Sequence, residues 1–177
     1  LLGFIGRRER LEAAEYSEVF NYFTETEFLN LVENIEPPQE FKDYKEDIKN
    51  LFFTLFYTGV RVGEAFAVFS ERKKDPKTGR QLNFLDGTKL AINSQMIKDT
   101  LRITSTKTGK ERVAYVIQNH FNRVKAWADL DRTTKEKLRK IEFSGLIKKA
   151  GRLTFPQNSE KQNLKAHDCR HSYAVHL

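Results

Sequence analysis

At 177 residues the chain is long enough for one domain with a real core and too short for two. Apolar residues make up 39% and aromatics 12%, a globular composition that excludes a disordered chain, and no apolar run is long enough to span a bilayer. Lysine and arginine number 31 against 24 acidic side chains, a formal charge of +7 that suits nucleic acid or an anionic membrane and equally suits an ordinary basic protein. The single cysteine, Cys169, has no internal partner, which fits a reducing compartment, and the apolar start Leu1 to Gly6 lacks the basic region of a signal peptide. A soluble intracellular protein, and so a cytoplasmic location, is expected.

Residues 1–21 read as a leader and 22–177 as the domain proper. Thr24-Glu25-Thr26-Glu27 fits a capping box, and Phe28, Leu31, Val32 and Ile35 follow at helical spacing until Pro37-Pro38. A second helix is predicted over 41–58, with an end apolar almost all round and Gly59 as its stop. A short helix from Arg61 to about Phe69 should follow. Residues 70–80 are charged, contain Pro76 and Gly79, and read as a loop. Three strands are predicted: Lys89 to Ile92, Leu101 to Thr106 and Arg112 to Ile117, the last two joined by a turn at Lys107-Thr108-Gly109-Lys110. Phe121, Val124, Trp127 and Leu130 form one helical stripe, and Leu138, Ile141, Leu146 and Ile147 another. Residues 151–161 read as a loop, and a final helix should open near His167. The expected fold class is α+β, a mostly helical domain with a small three-stranded antiparallel sheet.

Three stretches can carry chemistry. In Thr58-Gly59-Val60-Arg61-Val62-Gly63-Glu64 a glycine turns the chain and Arg61 opens a helix with Glu64 three residues on, on the same face. Arg61 can hold a phosphate there with Glu64 orienting it, although an ordinary surface ion pair has the same spacing. In Lys165-Ala166-His167-Asp168-Cys169-Arg170-His171-Ser172-Tyr173, His167 and Arg170 share a helix face. Such a histidine can move a proton near neutral pH and such an arginine can hold two oxygens, or both can simply furnish a charged helix start. Lys107, on its tight turn, can protonate a leaving alkoxide, or be a solvated turn lysine. His171 and His176 lie on the same helix, where structural roles are expected, and His120 has no motif around it.

Taken in order, these stretches resemble the boxes of the tyrosine recombinase (phage integrase) family, and Tyr22-Phe23-Thr24-Glu25-Thr26-Glu27-Phe28 resembles the opening of that family's catalytic domain. The resemblance covers roughly residues 20–177. It implies site-specific DNA recombination or integration, by cleavage and rejoining through a 3′-phosphotyrosyl intermediate, without metal or other cofactor. Arg61 and Arg170 resemble the two arginines that clamp the scissile phosphate, and His167 the histidine beside them. Lys107 resembles the lysine that protonates the departing 5′-oxygen, and Glu64 the acid that supports the first arginine. Lys110, Arg112 and Lys165 are candidate DNA contacts. The implied partners are double-stranded DNA and, for the full-length protein, a tetramer of copies on two duplexes; these residues alone are expected to be monomeric, with no membrane partner. The family's nucleophilic tyrosine is expected beyond Leu177, an N-terminal DNA-binding domain is expected before residue 1, and Tyr173 is expected to pack in the core. These residues alone are therefore expected to be inactive. The alternatives are a non-catalytic DNA-binding protein derived from a recombinase, a type IB topoisomerase-like enzyme, and an interaction module without nucleic acid.

Overall fold

A computed structural model describes residues 21–74, 81–86, 88–91, 99–103, 112–116 and 120–176, with side chains over 21–68 and 120–175. Helix α1, Glu25–Glu33, starts on a complete capping box: the Glu27 backbone N–H donates to Thr24 Oγ1 (3.2 Å) and the Thr24 N–H to Glu27 Oε1 (3.1 Å). Its apolar face (Phe28, Leu31, Val32) is buried. A 3-10 turn, Gln39–Tyr44, leads into α2, Lys45–Thr58, in which every residue from Ile48 onward is buried. That is the pattern of a central helix. Phe28 stacks on Phe56 at 4.1 Å, and α2 packs against the later helices Phe121–Asp129 and Asp168–His176. Helix α3 is a single turn, Val62–Ala65.

Among the described residues five strands follow: β1 Phe69–Lys74, β2 Gln81–Asp86, β3 Thr88–Ala91, β4 Asp99–Ile103 and β5 Arg112–Val116. They pair antiparallel in the order β1-β2-β3-β4-β5, with Phe69 opposite Asp86 and Arg102 opposite Val113. The expected three-stranded sheet is therefore corrected. The predicted runs at 89–92, 101–106 and 112–117 overlap β3, β4 and β5, but two further strands stand on their flank. Of the segment read as a loop, residues 70–74 lie in β1, while 75–80 fall outside the described residues. The physical reason is that β1 is an edge strand with the sequence Phe-Ser-Glu-Arg-Lys-Lys. Charge on an edge strand discourages pairing with other chains, and in β1 five of the six residues are polar or charged, so it lacks the apolar alternation by which β5, the opposite edge, could be read.

The chain returns to helices: α4 Phe121–Asp129, α5 Arg132–Leu138, α6 Phe143–Thr154, a 3-10 turn Ser159–Asn163, and α7 Asp168–His176. Two expectations shift here. The short helix after Arg61 stops at Ala65 because Phe69 already belongs to β1, and α6 runs on to Thr154, taking in the first four residues of the stretch read as a loop. Side chains from α4 and α5 anchor the segment leaving α3. Trp127 Nε1 donates to the Ala65 carbonyl at 2.8 Å. The fully buried Lys135 donates through Nζ to the carbonyls of Val68 (2.5 Å) and Ala128 (3.2 Å). Among the described residues no helix is long and apolar enough to cross a membrane. Residues 1–20 fall outside the described residues.

Candidate anion site between the Arg61 turn and helix α7

The site begins where α2 ends. Gly59 takes φ 65°, a left-handed conformation that glycine adopts without a steric penalty, and its N–H donates to the Leu55 carbonyl at 3.1 Å. The chain then turns outward and presents Arg61 in extended conformation at the start of α3. With one helical turn behind it, α3 supplies little dipole. Arg61 is held instead by Glu64, whose carboxylate accepts from the Arg61 backbone N–H (2.8 Å) and from Nη1 (3.1 Å).

Helix α7 is brought to this turn by two contacts. The buried Tyr173 ring lies flat against Gly59, with ring atoms where a Cβ would stand. The Phe23 N–H donates to Ser172 Oγ at 2.8 Å, and that hydroxyl donates to the Asp168 carbonyl, which ties the helix to the chain entering α1. The outcome is that Arg170 Nη1 lies 3.9 Å from Glu64 Oε2. Both guanidinium groups thus gather at one carboxylate, whose side chain is only 5% exposed, while those of Arg61 and Arg170 are 44% and 28% exposed. Two arginines around one buried glutamate leave a local excess of positive charge facing solvent.

His167 directly precedes α7 and is exposed. Burial, then the neighbouring charges of His171, Arg170 and Arg61, hold its imidazole below the usual histidine range, with Asp168 opposing. At neutral pH it is therefore an uncharged imidazole, able to accept a proton. The buried Asp168 carboxylate accepts from the Lys165 N–H at 2.7 Å and fixes the start of the helix. Lys165 itself is exposed two residues before His167.

The structure thus brings Arg61, Glu64, Arg170 and His167 into one electrostatic cluster. Arg112 lies on the edge strand β5, and only its backbone is described. Lys107 and Lys110 lie outside the described residues. Sequence reading did not find that Glu64 serves Arg170 as well as Arg61, since nothing in the spacing of residues 64 and 170 signals a contact. It also assigned His171 no place in the site, although His171 lies four residues from His167, one helical turn away. Among the described residues no three histidines, cysteines, aspartates or glutamates gather for a metal.

Removal of the shared carboxylate makes a direct test of this geometry. Glu64→Ala takes the carboxylate from the Arg61 guanidinium and backbone N–H that donate to it, and the ion-pair contact from Arg170. It is expected to lower the unfolding free energy by about 2 kcal/mol, discounted for the exposed arginines. A urea denaturation midpoint equal to that of the parent protein would show that neither arginine depends on Glu64.

No family model, curated protein or solved structure matches this chain.

Proposed function

We propose that this chain is part of the catalytic domain of a tyrosine-type DNA recombinase and that Arg61, Arg170 and His167 bind the phosphate at which DNA is cut and rejoined. The observation that carries the reading is the gathering of Arg61 and Arg170 at Glu64, beside His167, from positions more than a hundred residues apart. A phosphodiester under attack by a tyrosine hydroxyl collects negative charge on its non-bridging oxygens. Two preorganised guanidinium groups offer those oxygens paired N–H donors. Glu64 hydrogen-bonds Arg61 and lies 3.9 Å from Arg170 without cancelling them, since one negative charge stands against two positive. His167, uncharged at pH 7, accepts the proton of the attacking hydroxyl. The resulting 3′-phosphotyrosyl ester retains the energy of the broken bond, so a second strand can displace the tyrosine without ATP. In this reading Lys107 protonates the 5′-oxygen that leaves, Lys110, Arg112 and Lys165 touch the DNA backbone, and copies assemble as a tetramer on two duplexes.

The nucleophile is not one of the two core tyrosines. Tyr57 and Tyr173 are buried, and Tyr57 donates its hydroxyl to Glu25 at 2.9 Å, a partner that with burial raises its pKa and disfavours the phenolate. As the resemblance implies, the 177 residues alone are expected to bind duplex DNA and to form no covalent adduct with a nicked suicide duplex. Binding should weaken with salt, with a log–log slope of about −0.9 per phosphate contact, and Arg170→Ala should reduce that slope by roughly one. A salt-independent response, or none at low salt, would overturn the DNA reading. Unchanged slopes in both Arg61→Ala and Arg170→Ala would remove these arginines from the interface.

A further inference from the structure

The first turn of α7 holds a second imidazole that the proposed chemistry leaves without a task. His171 stands one turn after His167, and the two rings meet edge to face, with centroids 4.7 Å apart and planes at 87°. This is a favoured arrangement for aromatic pairs and is worth roughly 0.5–1.5 kcal/mol beyond area burial. The backbone of His167 is already fixed, because its carbonyl accepts from the N–H groups of Arg170 (3.0 Å) and His171 (3.2 Å). Its remaining freedom lies in two side-chain torsions, and an exposed imidazole on such a stem ordinarily samples several rotamers. A ring pressed against it removes that freedom.

We propose that His171 is a positioning residue for His167, whose ring contact fixes the orientation of the His167 imidazole beside the two arginines. The functional consequence rests on the reading of His167 as the acceptor of the nucleophile's proton; the ring contact does not. An acceptor must present its lone pair at hydrogen-bond distance in the right direction, and a freely rotating ring does so for a fraction of the time. The charged groups around the pair are Asp168 and Arg170 on α7, Arg61 from the turn before α3, and, attached to both arginines, Glu64. Partial burial of the ring and repulsion from His171, Arg170 and Arg61 act in the same direction and favour the uncharged form.

The test is imidazole NMR on the whole 177-residue protein without DNA, comparing the parent with His171→Ala and His171→Phe. His171→Ala is expected to average the His167 side-chain couplings and to move its titration midpoint upward, toward an ordinary histidine. His171→Phe keeps a ring in place. It is expected to restore the parent couplings, with the midpoint raised only by the loss of His171's charge. Parent-like couplings and midpoint in a folded His171→Ala protein would overturn the proposal, as would a phenylalanine variant in which the couplings average as fully as with alanine. Should the alanine variant fail to fold, His167 couplings averaged over rotamers in the phenylalanine variant would overturn the proposal and parent-like couplings would support it. Duplex binding by the parent protein is measured separately. Its absence would remove the DNA reading and leave the positioning role standing or falling on the spectra.

Discussion

Gly59→Ala is expected to destabilise the protein by about 3 kcal/mol, read as a fall in the urea midpoint without a change of slope. Two costs add. A residue with a Cβ at φ 65° loses roughly 1 kcal/mol relative to glycine. The new methyl would also meet the Tyr173 ring, within 2.7 Å of Cε1 and closer still to Cδ1, and overfilling a packed contact typically costs about 1–3 kcal/mol. The ring is buried and rigid, so relief must come from moving α7. Since α7 carries Arg170, the variant is expected to lose DNA affinity beyond what instability explains. Adding Tyr173→Ala should recover the steric part of the loss but not the conformational part, and the double-mutant cycle separates them. A midpoint unchanged in Gly59→Ala would mean that the Gly59 contact does not hold α7 against the Arg61 turn.

The second large effect is a pH dependence centred on Lys135. Burial pushes its ammonium down to about 7 from the ordinary 10.5, with Asp129 and Asp131 opposing the shift and Arg132 reinforcing it. The face of Trp127, 5.2 Å from Nζ, also favours the charged form. An uncharged amine has two N–H groups, and the carbonyls of Val68 and Ala128 take both. Between the folded and unfolded values the unfolded chain holds a proton that the folded chain does not, so stability rises with pH across that window and falls as pH drops toward 7. The slope is at most about 1.4 kcal/mol per pH unit. Above pH 9.0 the buried Cys169 thiol acts in the opposite direction, because burial raises its pKa and the unfolded thiol ionises first. The useful comparison is therefore between pH 7 and 9, where the parent should gain about 2–3 kcal/mol relative to Lys135→Met. Parallel stability curves for the two proteins over that interval would show that Lys135 stays charged inside the fold.

How much of this could be read in advance follows from where each signal resides. The capping box at Thr24 and the stop at Gly59 are local, set by hydrogen bonds within a few residues, and both were legible. The apolar stripe through Val124 and Trp127 was legible because burial on one face imposes a period. Strand β1 was not, since an edge strand of charged residues carries no period at all. The sheet was for that reason undercounted, and β2 was missed with its partner. In the candidate site, each arginine was legible as a member of a short motif, and so was the pairing of Arg61 with Glu64 at helical spacing. The approach of Arg170 to the same carboxylate was not, because it depends on how α7 packs against α2 through Tyr173 and Gly59. His171 had a readable spacing to His167, yet spacing alone does not distinguish ring contact from two solvated side chains.

In the chain between α3 and the sheet the Ala65 carbonyl accepts from the Val68 N–H at 3.2 Å, and two carbonyls of this stretch also take donors from outside it. These donors from other helices, the indole of Trp127 and the amine of Lys135, reach Ala65 and Val68. Responsibility for holding this connector is thus outsourced to α4 and α5. Ala67, only partly covered and placed between the two anchored carbonyls, is expected to tolerate a larger side chain while the arginine turn keeps its place. Change at Trp127 or Lys135, remote from the anion site in sequence, would by contrast reach it through the backbone.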